Sequence, residues 1–251
     1  MKIPQITTTN QRYQTKQEWV YSTLKDAILT CAISPGTRLT LDEVAEQLQV
    51  SRVPVREALL QLQSEGLVDM SPHAGATVSP ISLDSIHELF MILEELEVLS
   101  GRVVTTKAAP GDLGTLQDIL TAMGQSTTAG DTERWAELNT EFHKEISHLS
   151  GMPFLQQITE KTLERWDRLR RCFLTEVLHK RFPQAQEEHH RIFAALKEGD
   201  AETVEQILRI HNRNALRDYL TYLSKKDGSS AEDDDPPMEQ QILERRGGSQ
   251  F

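Results

Sequence analysis

Apolar residues recur at helical spacing twice in quick succession between residues 40 and 66, separated by a short polar break. Leu41, Val44, Ala45 and Leu48 form one stripe, and Val55, Ala58, Leu59 and Leu62 form the next. Thr40, with Glu43 three residues on, predicts a capping box at the start of the first helix. Ser51 stands at the N-cap of the second helix, Pro54 falls in its first turn, and Gly66 ends it. Residues 67–70 and 76–78 flank a Ser71-Pro72-His73-Ala74-Gly75 tip and predict a two-stranded hairpin.

Upstream, Val20, Leu24, Ala27 and Ile28 predict a helix over residues 17–33, stopped by Ser34-Pro35-Gly36. Downstream, residues 79–82 are turn-rich and Ser82 can cap a new helix, which puts a domain boundary near residue 80. Six helical patterns follow, over 83–109, 112–125, 131–149, 154–178, 183–196 and 200–223, joined by short loops. Such a series predicts an antiparallel bundle. The expected fold class is therefore mainly α: a winged helix-turn-helix over residues 16–80, then an all-α six-helix bundle over 81–224. Residues 1–15 read as a flexible N-terminus, and 225–251, acidic and broken by proline, as a disordered tail.

Composition agrees with a helical chain, at 38% hydrophobic but only 6% aromatic residues. The formal net charge of −11 argues at first sight against nucleic acid. Local placement matters more, because counterion release depends on the cations at the contact. The two cysteines, Cys31 and Cys172, predict neither a disulfide framework nor a metal pair, and suit a reducing cytoplasm. No apolar run reaches the roughly 18 residues of a membrane span, and the first residues carry no signal-peptide pattern. A cytoplasmic protein with no membrane partner is expected.

Arg52 and Arg56 lie four apart at the N-terminal end of the second helix, on one face. That end of a recognition helix enters the major groove, where arginine reads guanine with two hydrogen bonds. Ser51 and the first-turn N–H groups suit a phosphate. Read without that role, the same arginines are merely solvated on a small helical core.

The wording of residues 35–68, PGTRLTLDEVAEQLQVSRVPVREALLQLQSEGLV, closely resembles the winged helix-turn-helix of the GntR family of bacterial transcription regulators. The run from Ser51 to Leu59 matches that family's most specific signature. The resemblance implies DNA contacts by Arg52 and Arg56, with Ser51, Thr40, His73 and Gly75 beside them. Cys31 departs from the family, where a glycine usually follows the first helix. The helical half resembles the FCD effector domain of the FadR subfamily, in its six-helix VanR-type branch.

Asn139 and His143 are four apart, beside the apolar stripe of Leu138, Phe142 and Ile146. His189 and His211 sit on later helices, and bundle interiors assemble metal sites from facing helices in this manner. From spacing alone, scattered and solvated histidines are the favoured reading, since the chain has eight. Resemblance to metal-binding FCD domains changes this, because it matches all three histidines and implies a divalent metal on Asn139, His143, His189 and His211. Asn139 stands where many relatives have Asp, so the metal is expected to be held more weakly. Three imidazoles suit zinc or nickel. Glu188 is expected to face away, and His190 to be exposed.

The resemblance further implies a small organic acid bound in the bundle, near Leu93, Arg102 and Phe142. Leu93 stands where relatives often carry an arginine that clamps the acid. The effector is then less anionic, differently oriented, or held by another cation among Arg102, Arg165, Arg168 and Arg170. Together these readings predict a metabolite-responsive regulator, not an enzyme, that binds two-fold operator DNA as a homodimer and represses. The alternatives are a metal-dependent enzyme using the histidines to activate water, and a metal-free DNA-binding protein with structural histidines.

Overall fold

The computed structural model describes residues 15–71 and 75–226. The readings made on residues 1–14, on His73 and on the tail beyond residue 226 fall outside the described residues. Helix α1 (Lys16–Leu29) opens on a capping box between Thr15 and Glu18. It ends four residues before the expected 33. Thr30 caps it, Cys31 turns the backbone into the left-handed region at φ 62°, and the Ile33 N–H reaches back to the Ala27 carbonyl. A glycine would adopt that conformation without a Cβ clash.

Strand β1 (Arg38–Leu39) precedes α2 (Leu41–Leu48) and α3 (Arg52–Ser64), and then come β2 (Val68–Ser71) and β3 (Gly75–Val78). The wing has three strands rather than two, because β1 pairs with β3 on the side opposite β2. Leu39, Val68, Ala76 and Val78 turn inward and join the stripes of α1, α2 and α3 in one core. Gly75 is required by close approach. Its φ is +88°, and a Cβ there would lie 2.3 Å from the Leu39 carbonyl oxygen.

Six α-helices follow: α4 (Leu83–Lys107), α5 (Gly114–Ala129), α6 (Thr132–Leu149), α7 (Pro153–Leu169), α8 (Thr175–Glu198) and α9 (Ala201–Lys226). Ser82 caps α4 as expected, through Ser85. The chain does not break near residues 179–182. The interruption is a π-helical turn over Arg170–Leu174, and Pro183 lies inside α8. An interior proline costs about 3 kcal/mol. Here its neighbours Phe182 and Ala185 are buried in the main core, with Phe182 stacked on Trp135 at 4.4 Å between ring centroids. Helices α4 and α9 pack so closely at Gly101 that a Cβ would come within 2.6 Å of Val204 Cγ1 and 2.8 Å of Leu208 Cδ1.

The head docks on α7. Lys25 bridges Glu65 and Glu164 at 3.1 and 3.2 Å, and Arg165 donates to the Glu65 carbonyl at 2.9 Å. Cys31 and Cys172, expected to be unpaired, form a disulfide with Cα atoms 5.3 Å apart. Their separation of 141 residues hid the pairing. Only the packing of α1 on α7 and the π turn brings them together.

Candidate functional site

At the head, α3 presents Arg52 and Arg56 on its exposed face, with the Arg52 side chain 69% exposed. Ser51 occupies the N-cap position, but its side chain makes no capping hydrogen bond. The hydroxyl is therefore available to a ligand. Thr40 caps α2 by accepting from the Glu43 N–H, while its hydroxyl donates to the Glu43 carboxylate. That differs from the reciprocal box the sequence predicts. Thr40, Arg52 and Arg56 line a cleft of about 780 Å³ together with Arg38, Ser71 and Gly75, and Ser51 is not part of its wall. Arg38 was missed, although it stands two residues before Thr40 in the stretch 35–68 that carries the resemblance. Asp42 forms an ion pair with Arg52 in the same cleft. Gly75 contributes backbone and the close approach described above.

In the bundle, α6, α8 and α9 bring His143, His189 and His211 together. One ligand nitrogen from each lies within 4.8 Å of the others, and all three residues are buried. The ring centroids are 5.3, 5.2 and 4.7 Å apart for the 143–189, 143–211 and 189–211 pairs. Asn139, one turn before His143, is buried and lines the same cavity. That cavity, of about 30 Å³, is also lined by Leu93 and by the carboxylate-bearing Glu97. Phe142 is fully buried against His143 and His189, behind the cavity and not in its wall. Arg102 is not brought in. Its side chain is 59% exposed and faces Glu205 at 3.7 Å.

Two carboxylates back the histidines. Glu188 accepts from His211 Nδ1 at 2.7 Å and from Arg181 at 2.8 Å, so it faces the cluster and not away from it. Glu97 Oε1 lies 2.9 Å from His143 Nδ1, off the line of a good hydrogen bond, and its other oxygen accepts from Asn212 at 2.7 Å. Burial alone would push both carboxyls up. The imidazoles beside them outweigh it and hold both below the usual range, with Arg181 and Asn214 adding to the effect at Glu188. Burial, then the neighbouring imidazoles and Arg181, hold His189 neutral. Burial likewise lowers His211 despite Glu188. Neither ring nitrogen of His189 has a hydrogen-bond partner, although both are buried. Leaving such a group unsatisfied costs about 1–3 kcal/mol.

Glu97 had a sequence signal. It falls on the buried stripe of Phe90, Leu93, Gly101 and Val104, where an unpaired carboxylate has no place. His190 is exposed, as expected.

Residues 16–78 match the model of bacterial regulatory proteins of the gntR family, and residues 88–214 match the FCD domain. The chain belongs to the GntR family, with an FCD effector domain. An uncharacterized HTH-type transcriptional regulator of Streptomyces ambofaciens is 31% identical over 82% of this chain and 85% of its own. The Escherichia coli regulator McbR is 32% identical over 73% of this chain and 83% of its own. Its solved structure covers 84% of this chain and 100% of its own, with a TM-score of 0.62. The Escherichia coli transcriptional repressor RspR is 26% identical over 79% of this chain and 86% of its own. This GntR-family chain is thus a transcription regulator with a DNA-binding head and an effector domain. Its families and relatives are regulators, not enzymes, which removes the metal-dependent enzyme reading. No helix among the described residues is long and apolar enough to cross a membrane.

Proposed function

We propose that this regulator binds a two-fold operator as a homodimer, acts in the cytoplasm as a repressor, and carries a divalent metal in its effector domain. The observation that carries the metal is His189. Its two buried, partnerless nitrogens face two further imidazoles, and a metal ion satisfies such a set where a proton would add charge. The donor set fits. Ligating histidines typically give their other nitrogen to a carboxylate, as Glu188 does for His211 and Glu97 approaches for His143. Asn139 would supply an amide oxygen, and three imidazoles favour zinc or nickel. The metal would act as an electrophilic anchor for an incoming oxygen ligand.

A cavity needs roughly 10–15 Å³ to hold one water. The cavity of about 30 Å³ beside the histidines therefore suits a metal with a water. A small organic acid would enter by moving the wall at Leu93. The repressor reading rests on RspR, which is named a repressor. Met91 and Leu99, each about half exposed on α4, suit the face of a second copy.

The test has two arms. Elemental analysis of the purified full chain should find about one zinc or nickel per chain, lost in His189→Ala. Selection from random DNA duplexes should return a two-fold sequence. Metal content equal in wild type and His189→Ala overturns the metal reading, and an asymmetric selected site overturns the dimer.

A further inference from the structure

A second cleft lies at the seam between head and bundle and shares no lining residue with the cavity beside the histidines. Its volume is about 370 Å³, within the usual range for small-molecule sites. The head contributes Gly66 and Leu67, the linker Ser79 to Ile81, and α4 and α7 the remaining walls. Three cations line it: Lys161, Arg165 and Arg168. The guanidinium of Arg168 is buried, at 6% exposure, yet it meets no carboxylate among the described residues. One nitrogen donates to the Ser79 carbonyl at 2.6 Å, and its Nε has no partner. The Ser79 hydroxyl is also buried without a partner. Arg165 likewise spends a hydrogen bond on a neutral carbonyl, that of Glu65.

Burial and the neighbouring Arg165 both disfavour the Arg168 charge, and no anion among the described residues offsets them. Glu88, at the exposed rim, is the carboxylate among the lining residues. A buried charge without a partner is costly, and breaking such a pair is worth several kcal/mol. The arrangement is therefore that of a half-made ion pair. Ser85 and Thr162 apart, the rest of the wall is apolar, with Ile81, Ile86, Leu89, Ile158 and Leu169.

We infer that this seam cleft binds a small organic carboxylate with an apolar body, its acid group on Arg165, Arg168 and Ser79 and its body against Leu89 and Leu169. The ligand touches head, linker and bundle at once, so its binding favours one placement of the head and biases DNA affinity. The site is separate from the metal centre and does not depend on it.

Calorimetric titration of the full chain with benzoate tests this, using benzyl alcohol as the neutral analogue. Benzoate should bind at least tenfold more tightly than benzyl alcohol. Arg165→Ala, at an exposed position, and Ile92→Trp, which narrows the rim, should each weaken benzoate at least tenfold. Arg168→Lys should weaken it as well, and prior chelation should leave it unchanged. No binding of benzoate by the wild type overturns the inference, as does equal affinity in all three variants. Loss of binding on chelation alone also overturns it and moves the acid to the histidines, whereas failure to find metal leaves the seam cleft intact.

Discussion

Cys31, just past the end of α1, is covalently joined to Cys172 in the π turn after α7, tying the DNA-binding head to the effector domain. Closing a loop of this length restricts the unfolded chain, and disulfides typically contribute about 2–4 kcal/mol. Reduction should lower the thermal midpoint of the wild type and leave Cys31→Ser/Cys172→Ser unchanged. Equal midpoints for oxidised and reduced wild type would show that the seam holds without the bond.

Arg56→Ala should weaken binding to a selected operator by about 1–3 kcal/mol and relax preference at one base pair, as loss of a bidentate base contact does. Arg52→Ala should do the same, whereas Asp42→Ala, which releases Arg52 from its ion pair, should not weaken binding. Electrophoretic mobility shifts with matched and single-mismatch duplexes measure both effects. Unchanged affinity in both arginine variants would place the DNA contact elsewhere.

Glu188→Gln keeps shape but gives His211 a weaker acceptor. Loss of such a backing carboxylate typically costs roughly 10–100-fold in metal affinity. Competition against a chromogenic chelator reads this directly. The wild type should also lose thermal stability on chelation and regain it when zinc or nickel is restored. A Glu188→Gln variant that holds metal as tightly as the wild type would remove Glu188 from the site.

Arg170 is 1% exposed and is held by Glu133 at 3.0 Å, with Asp167 at 3.4 Å. The hydrogen bond from Arg170, chiefly, keeps the Glu133 carboxyl below its ordinary value of 4.5. A depressed folded value means that the contribution is complete above pH 4.5 and lost as pH falls through the lower folded value. Asp167 runs the other way, since burial raises it. The difference between wild type and Glu133→Gln isolates the first effect. Thermal midpoints should differ most above pH 4.5 and converge as the pH falls below it, and a gap that stays constant as the pH falls would contradict the assignment.

Legibility in the sequence followed the range over which each feature is decided. Thr40, Ser51, Arg52 and Arg56 are fixed by spacing within two short helices, and the structure keeps them where the pattern puts them. His143, His189 and His211 came from three helices, and only resemblance to a family could bring them together ahead of the fold. Glu188 was misread because a helical wheel orients it relative to His189, whereas its partner His211 lies on another helix. The disulfide and the seam cleft depend on how head and bundle dock, which no local pattern encodes. Pro183 misled in the opposite direction, since burial of Phe182 and Ala185 overrides its local preference to end a helix.

Helix α4 begins at the linker cap Ser82 and passes Glu97, whose carboxylate touches both His143 and Asn212. At 1.5 Å per residue, those two points are roughly 22 Å apart along one uninterrupted rod. Gly101 seats that rod against α9, and Arg209 clamps it through Glu94 and Glu95. The α9 crossing is thus where α4 is held most closely, between the histidine-backing carboxylate and the helix end beyond it. A tilt about that crossing would move the linker end, which carries the recognition helix, further than it moves the bundle core.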